Sequence, residues 1–278
     1  MNSTTAVRLL CSVRGCAGPL ARVPGVWRCA RGHSFDVARS GYVNLLQPGD
    51  RRSRTAGDSR AAVAARARLE ARGLGDELRA AIEREVGSLA LAPGAPALDV
   101  GAGSGLLLER LRARFGLEGW ALDLSAAAVE LGARMRPELS WVVANADRQL
   151  PFGDGAFALL VSSVGPKNPS EFRRVLAREG SLLLVVPGPD DLIELRAALL
   201  GEGRRIDRAP RALALFDACF RCVQRTAVRA RRRLERPEID DLLAVAYRAG
   251  RARERERLAT LDALETTLAA ELLHLAPR

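Results

Sequence analysis

Three cysteines and one histidine near the N-terminus have the spacing of a metal site. Cys11, Cys16, Cys29 and His33 form the pattern C-x4-C-x12-C-x3-H. Thiolates and imidazoles are preferred zinc ligands, and four of them close a tetrahedral site that leaves no position for water. The pattern therefore predicts a structural zinc site in a small module that folds around the metal, against the alternative of unrelated buried cysteines.

A second group of chemically informative residues lies in residues 97–111, ALDVGAGSGLLLERL. An apolar strand is followed by Gly101, Gly103 and Gly105 and then by a leucine-rich helix, which predicts the first β-α turn of a Rossmann-like sheet. The spacing G-x-G-x-G differs from the dinucleotide fingerprint, and the loop has no basic residue for a phosphate. Asp99 would repel a pyrophosphate, but it suits a cationic ligand such as the amino-acid end of S-adenosylmethionine (SAM).

Two further strand ends complete this predicted cofactor site. A strand over residues 119–124 ends in Asp123, which we expect to accept hydrogen bonds from ribose hydroxyls. A third strand over residues 139–144 leads to Asn145 and Asp147. Class I SAM-dependent methyltransferases, which the glycine loop and Asp123 resemble, usually have an adenine contact here, which implies Asn145 as the first candidate and Asp147 as the second; the alternative is an amide that caps the next turn. The predicted cofactor-binding residues are Asp99, Gly101, Ala102, Gly103, Gly105, Asp123, Leu124, Asn145 and Ala146.

The glycine loop and the acid that follows it resemble the class I SAM-dependent methyltransferases. The resemblance implies an α/β fold, Rossmann-like, with a seven-stranded, mostly parallel sheet that contains one antiparallel strand. Strands at residues 156–163 and 182–186 continue the sheet, and residues 264–275 plausibly form its last antiparallel strand. Asp191 and Glu194 have the spacing of a helix capping box.

The loop after the strand at residues 156–163 is the expected position of the methyl acceptor. Ligands of α/β sheets bind outside the carboxyl ends of the strands. This loop contains Lys167 and Asn168, and Lys167 is the only lysine of the chain. We predict both as substrate contacts, with a surface lysine as the alternative for Lys167.

Residues 29–48, CARGHSFDVARSGYVNLLQP, resemble the N-terminal module of the bacterial 23S rRNA (guanine-N1)-methyltransferases. The resemblance continues through G-D-S at residues 57–59, N-P at 168–169 and P-G-P at 187–189. The chain differs from the family pattern at three places. It has C-x4-C where the family has C-x2-C for the first ligand pair, and G-L-G at residues 73–75 where the family has G-H-Y. The segment around residues 245–249 also differs. It implies methyl transfer from SAM to N-1 of a guanine of 23S rRNA; the alternative is a SAM-dependent methyltransferase that acts on a small molecule or another RNA.

Removal of the guanine N-1 proton requires a general base. Asp58, Asp190 and Asp191 are the candidates, because they lie on loops expected near the pocket, and none of them can be assigned from the sequence.

The composition is consistent with a nucleic-acid partner. The chain has 278 residues and a net charge of +10, although its nearly exclusive use of arginine also indicates a coding bias. We predict a zinc-binding module at residues 1–45, a basic linker at 46–60 and a methyltransferase domain at 61–278. Arg51, Arg52 and Arg54 of the linker are candidate RNA contacts, or simply a solvated segment.

The remaining expectations concern location and assembly. No apolar run is long enough to span a membrane without charges, and the N-terminus lacks the pattern of a signal peptide. We therefore expect a cytoplasmic protein with no membrane partner. The family resemblance adds a possible homodimer.

Overall fold

A mostly parallel sheet forms the centre of the protein in the computed structural model, which describes residues 7–50, 57–246 and 261–278. Both faces of its central strands are covered, so these strands read as continuous apolar runs; every residue of the first one is buried. The strands are β5 (Pro96–Val100), β6 (Glu118–Asp123), β7 (Ser140–Val143), β8 (Phe157–Ser163), β9 (Leu176–Pro187), β10 (Phe220–Glu235) and β11 (Ala263–Pro277).

The strand order confirms the predicted fold class. The seven strands are arranged β10-β11-β9-β8-β5-β6-β7, and only β11 runs antiparallel to its neighbours. Among these seven strands, β5 comes first in the chain; β6 and β7 follow on one side of it, and the chain then crosses to β8 on its other side. Such a reversal creates a crevice at the carboxyl ends of β5 and β8, where α/β sheets bind their ligands.

Helices cover both faces of the sheet. The helix after the G-D-S motif begins directly after Ser59, whose hydroxyl accepts a hydrogen bond from the Ala62 N–H at 3.2 Å and so caps the helix. The helices are α1 (Arg60–Ala71), α2 (Asp76–Ser88), α3 (Leu106–Phe115), α4 (Ala126–Met135), α5 (Pro169–Val175), α6 (Ile193–Leu200), α7 (Ala209–Phe216) and α8 (Arg236–Ala246).

The N-terminal module is a small antiparallel sheet that is joined to the large one. Its strands are β1 (Leu20–Val23), β2 (Val26–Cys29) and β3 (Ser34–Asp36). The next strand, β4 (Val43–Asn44), pairs in parallel with β7 and makes an eighth strand of the large sheet, which the sequence did not predict. The predicted module boundary at residue 45 thus falls after the chain has entered the large sheet.

The module and the large sheet share one hydrophobic core. Leu9, Phe35 and Leu45 are buried in the same cluster as Val142 and Phe152. Leu9 also forms an isolated bridge with Phe152. The N-terminal module is therefore fixed to the edge of the methyltransferase domain by packing as well as by hydrogen bonds.

The capping-box prediction for Asp191 and Glu194 is wrong. Leu192 occupies the N-cap position of α6 with a φ of 53° and makes no side-chain cap. The Asp191 Oδ1 atom accepts a hydrogen bond from the Ala269 N–H at 2.9 Å, and the Glu194 carboxylate accepts one from the Thr267 N–H at 2.8 Å. Both acids therefore attach the turn after β9 to β11. No helix in the described part of the chain has the length and apolar character needed to cross a membrane.

Candidate active site and metal centre

The four predicted zinc ligands lie together in the N-terminal module. The Sγ atoms of Cys11 and Cys29 are each 3.4 Å from the His33 Nδ1 atom, and the Cys16 and Cys29 sulfurs are 3.8 Å apart. All four ligand atoms lie within 4.8 Å of one another. Sulfur ligands on a tetrahedral zinc with bonds of about 2.3 Å are ~3.8 Å apart, so the arrangement fits zinc.

Tight turns bring these ligands together. Gly15 and Gly32 have φ angles of 73° and 85°, in the left-handed region that favours glycine. Burial raises the pKa of the Cys29 thiol, but the backbone N–H groups of Arg31 and His33 and the neighbouring thiols outweigh it, so that the pKa falls to about 7. The backbone therefore favours the thiolate that a metal requires.

A pocket of about 660 Å³ lies at the carboxyl ends of β5, β6, β7 and β8, within the size range of small-molecule sites. Eight of the nine predicted cofactor-binding residues line it. Gly105 does not, because it lies beneath the loop: a Cβ atom there would be 2.5 Å from the Trp141 ring. Gly105 is therefore needed for packing.

Gly101 and Gly103 have roles that differ from that of Gly105. Both have positive φ angles, 83° and 56°. A Cβ atom on Gly101 would lie 3.2 Å from the Pro166 ring, whereas on Gly103 it would meet only the Arg66 side chain, at 3.6 Å. Gly103 thus leaves space on the pocket side, where a ligand can approach the backbone closely.

Asp99 is a buried carboxyl group at the floor of the pocket. Only 3% of the residue is exposed, and its Oδ1 atom has no hydrogen-bond partner among the described residues. Burial, followed by the charges of Asp123 and Glu70, raises the pKa of Asp99 to about 7. A cationic ligand would stabilise this carboxylate, so the site fits the positively charged methionine end of SAM.

Asp123 connects the glycine loop to the end of β6. Its Oδ2 atom accepts a hydrogen bond from the Gly103 N–H at 2.9 Å, and its Oδ1 atom accepts one from the Ser125 N–H at 2.8 Å. Burial raises the pKa of Asp123 despite these bonds. Each carboxylate oxygen has a second lone pair, so the predicted ribose contact is compatible with both bonds.

Asn145 forms the turn that the sequence analysis kept as the alternative to an adenine contact. Its Oδ1 atom accepts a hydrogen bond from the Asp147 N–H at 3.0 Å. Both residues nevertheless line the pocket, as does Ala146 between them. The loop that follows β7 therefore forms part of the pocket wall.

The pocket has a cover that the sequence did not predict. Arg66 and Glu70 of α1 and Leu242 of α8 line it, and the Ser104 hydroxyl donates a hydrogen bond to Glu70 at 2.6 Å. Arg68 holds the two helices together, because its guanidinium donates to both carboxylate oxygens of Asp241. The only sequence signal for this cover was the family-like G-D-S helix, which gave no role to these side chains.

The predicted substrate contacts occupy different environments. Asn168 is the N-cap of α5, and its Nδ2 atom donates hydrogen bonds to the Ala146 and Arg148 carbonyls at 3.0 Å. Its amide thus holds the loop after β7, a structural role that was not predicted. Lys167 is partly buried just beyond the pocket wall. Arg51, Arg52 and Arg54 lie outside the described residues.

Only one of the three candidate bases faces the pocket. Asp58 lines it and pairs with Arg66 at 3.3 Å. Asp190 instead pairs with Arg229 at 2.8 Å. Asp191 is bonded to the backbone of β11, as described above.

Fold and site together define a class I SAM-dependent methyltransferase with an N-terminal zinc ribbon. A zinc-ribbon family model described as RlmA, N-terminal, matches residues 10–54, and the Methyltransferase domain model matches residues 97–180. A crystal structure of the YcgJ protein from Bacillus subtilis shares the fold, with a TM-score of 0.51 and 17% identity over 70% of this chain and 96% of that one.

Two curated proteins resemble this chain. The 23S rRNA (guanine(748)-N(1))-methyltransferase of Streptomyces fradiae is 43% identical over 189 residues, which span 66% of this chain and 65% of that protein. A Micromonospora griseorubida protein named "Putative 23S rRNA (guanine-N(1)-)-methyltransferase" is 34% identical over 92% of both chains. The chain belongs to the family of these proteins.

Proposed function

We propose that this protein transfers the methyl group of SAM to N-1 of a guanine in 23S rRNA. The family membership supports the reaction. The observation on this structure that supports an RNA acceptor is the charge of the N-terminal module. Its described residues include six exposed arginines against one acid, Asp36; the arginines are Arg8, Arg14, Arg22, Arg28, Arg31 and Arg39.

The arginines of the module suit a polyanion because they are not neutralised. No ion pair joins them to another described residue, whereas many arginines of the methyltransferase domain form such pairs. The Arg22 guanidinium lies over the Trp27 ring, 5.9 Å from its centroid. Exposed cations next to an aromatic ring fit the phosphates and bases of RNA.

SAM supplies a methyl group on a sulfonium, which is a good leaving group. The contribution of the chain is therefore mostly positioning. We propose that Asp99 and Asp123, the loop residues Gly101, Ala102 and Gly103, and the neighbouring Leu124, Asn145 and Ala146 hold SAM, while Gly105 supports the loop by packing. Among the candidate bases only Asp58 lines the pocket, and we propose it as the group that accepts the N-1 proton.

The zinc ion and the RNA have proposed contacts of their own. Cys11, Cys16, Cys29 and His33 would hold zinc, which would fix the shape of the arginine-rich module. Lys167 and the linker residues Arg51, Arg52 and Arg54 are proposed RNA contacts, while Asn168 would position the loop beside the cofactor.

The proposal is tested by incubating the protein with labelled SAM and 23S rRNA transcripts, followed by primer extension. A methyl group on N-1 blocks the pairing edge of guanine, so reverse transcription should stop next to the modified nucleotide. The stop should depend on SAM, and at low SAM concentration it should weaken in Asp99→Asn. Methylation at another atom, or no incorporation despite SAM binding, would refute the proposal.

The role of the module is tested with Arg14→Gln/Arg28→Gln against the matched pair Arg84→Gln/Arg178→Gln. All four arginines are exposed, and the second pair belongs to the methyltransferase domain. Each lost phosphate contact should reduce the slope of log affinity against log salt by about 0.7 for single-stranded RNA. Equal slopes for the two double variants would remove the module from the RNA interface.

The alternative acceptor is a small molecule or another RNA. Competition of labelled 23S rRNA with unrelated RNAs, and methylation assays without RNA, separate these acceptors. We also propose a cytoplasmic location, which follows from an rRNA substrate. A homodimer remains a proposal; β10 has a long exposed edge that a second copy could cover, and light scattering at several concentrations would test it.

A further inference from the structure

Three basic side chains from separate segments lie beyond the cofactor pocket, near the carboxyl ends of the neighbouring strands β8 and β9; the charge of Arg208 acts on Lys167, and the charges of Arg196 and Arg208 both act on Asp191. Lys167 lies in the loop after β8, Arg196 lies on α6, and Arg208 immediately precedes α7. The segment before Arg208 is attached to the turn after β9, because the Ile206 N–H donates a hydrogen bond to the Pro189 carbonyl at 3.0 Å. This half of the sheet lies beside the cofactor half, where an acceptor must approach the methyl group.

Lys167 is in an unfavourable environment for a cation. It is partly buried and makes no ion pair with another described residue. Burial and, secondarily, the charge of Arg208 lower the pKa of Lys167. A chain that otherwise uses only arginine therefore holds its single lysine close to a second cation and withdrawn from water.

Arg196 has an unsatisfied guanidinium. Its Nε and Nη2 atoms are buried and have no hydrogen-bond partner among the described residues. Buried donors of a charged group are costly when unpaired, and such groups in native proteins require an explanation. Because these two donors are closed to solvent, Arg196 contributes its positive charge to this region rather than a direct contact with a ligand.

The acids of this region do not balance the three cations. Asp190 pairs with Arg229 at 2.8 Å, and Asp207 pairs with Arg225 at 3.5 Å. Asp191, whose charge interacts with both Arg196 and Arg208, offsets only one of the three cations. The local charge is therefore positive, and an anion is the missing partner.

We propose that Lys167 and Arg208, supported by the positive charge of Arg196, form a binding site for a phosphodiester group of the acceptor RNA. This rests on the proposed function and names which part of the RNA the site holds. Gly165 and Pro166, directly before Lys167, form part of the pocket wall. A phosphate held at Lys167 therefore adjoins the position of the reacting base, and the three cations act as positioning residues that fix the nucleotide beside the methyl group.

The test uses Lys167→Gln and Arg208→Gln, with two controls. Lys167→Arg keeps the charge, and Arg211→Gln removes an exposed charge from α7. Charge-assisted contacts of this kind predict a loss of about tenfold to hundredfold in kcat/KM for RNA in the two Gln variants. The SAM dissociation constant and the melting temperature should match those of wild type, and Lys167→Arg should retain most of the activity.

A backbone-modified substrate identifies the phosphate itself. Short RNAs carry the target guanosine with one uncharged methylphosphonate linkage, placed in turn on either side of it. At one linkage, the modification should slow wild type as much as Lys167→Gln slows the natural RNA, and it should cause no further loss in that variant. Such non-additivity requires that the two changes remove the same contact.

The outcomes separate this site from the proposed function. If wild type methylates RNA while both Gln variants behave like Arg211→Gln, the phosphate site is refuted and the function stands. If the methylphosphonate and Lys167→Gln losses multiply, the lysine does not contact that phosphate and the proposal fails. If wild type binds SAM but neither binds nor methylates RNA, both proposals fall.

Discussion

The Cys/His cluster of the N-terminal module and the carboxylates of the pocket respond differently to the same problem. Each gathers groups whose anionic forms repel one another, and each is stabilised by a cation. The four ligand atoms of the module lie within 4.8 Å of one another. Asp99, Asp123 and Glu70 line an open pocket, and two backbone N–H groups already satisfy Asp123.

This difference explains why zinc stays bound while SAM exchanges. Only the metal completes a tetrahedral set of four ligands, so loss of the metal leaves the charges of the thiolates uncompensated. In the pocket, a proton can replace the ligand, because the pKa of Asp99 lies near 7. The methyltransferase domain can therefore stay folded while SAM and its product exchange, whereas the module depends on permanent zinc.

The largest expected effect comes from removing one ligand of the Cys/His cluster. Cys29→Ser should lose zinc and unfold the module. Because Leu9 and Leu45 pack in the core of the large sheet, the melting temperature of the remaining domain should fall by roughly 10 °C. Metal analysis and calorimetry measure both quantities. The control is Cys222→Ser, an exposed cysteine on β10; one zinc per chain in Cys29→Ser would contradict the assignment.

Among the carboxylates of the pocket, Asp99→Asn should weaken SAM binding without lowering the stability of the ligand-free protein. The substitution removes the carboxylate that a cation requires, so SAM should bind about tenfold to hundredfold more weakly. The ligand-free variant should not melt below wild type at pH 8, because repulsion with Asp123 and Glu70 is also removed. Glu138→Gln, an exposed carboxyl-to-amide change, is the control. Unchanged SAM affinity by titration calorimetry would exclude Asp99 from the site.

The same carboxyl group predicts a pH dependence of binding. The free protein holds a proton on Asp99 below about pH 7, and a cationic ligand must displace it. SAM affinity should therefore rise by about tenfold per pH unit up to pH 7 and then level off. Calorimetry in buffers of different ionisation enthalpy should detect the released proton. A flat profile in wild type, or an unchanged slope in Asp99→Asn, would disprove the coupling.

The linked effect on folding has the opposite sign. The folded-state pKa of Asp99 lies above its ordinary value of 3.8, so ionisation of this group destabilises the ligand-free protein. That loss is absent below about pH 4 and complete above pH 7. The difference in unfolding free energy between Asp99→Asn and wild type should therefore grow with pH across this window, as denaturant titrations can measure.

The smallest expected effect concerns the cover that α1 and α8 form over the cofactor pocket. Arg68→Gln should weaken the contact between α1 and α8 and increase the dissociation rate of SAM a few-fold, since the Arg68 guanidinium of this pair is largely exposed although Asp241 is buried. Zinc content should not change, because α1 and α8 do not cover the Cys/His cluster of the N-terminal module. Stopped-flow release, with Arg72→Gln as the control from the end of α1, measures the rate. Equal rates would mean that the cover does not limit release.

The features that the sequence predicted correctly come from short, local residue patterns. The apolar runs of β5 and β8, the zinc ligands and the glycine loop are short segments whose chemistry is complete within a few residues. Eight of the nine proposed cofactor residues consequently line the pocket. Gly105 was assigned to the ligand because a glycine required for packing and one required for ligand approach look the same in sequence.

Contacts between distant segments could not be predicted. Arg68 and Asp241 form the cover of the pocket from positions 173 residues apart, and neither belongs to a motif. The spacing of Asp191 and Glu194 favoured a cap, but the backbone of β11 offered them stronger partners in the folded chain. Tertiary hydrogen bonds thus replaced a local preference, as they also did when the two residues of β4 joined the large sheet.

The position of β4 has a consequence for the order in which the chain assembles during synthesis. The N-terminal module leaves the ribosome first, yet its strand pairs with β7, and its Ser40 bonds to Glu130, 90 residues later. Zinc gives the nascent module a fold of its own during that delay. The completed module then closes the open edge of the sheet as soon as β7 emerges, which shields an unpaired strand from neighbouring nascent chains.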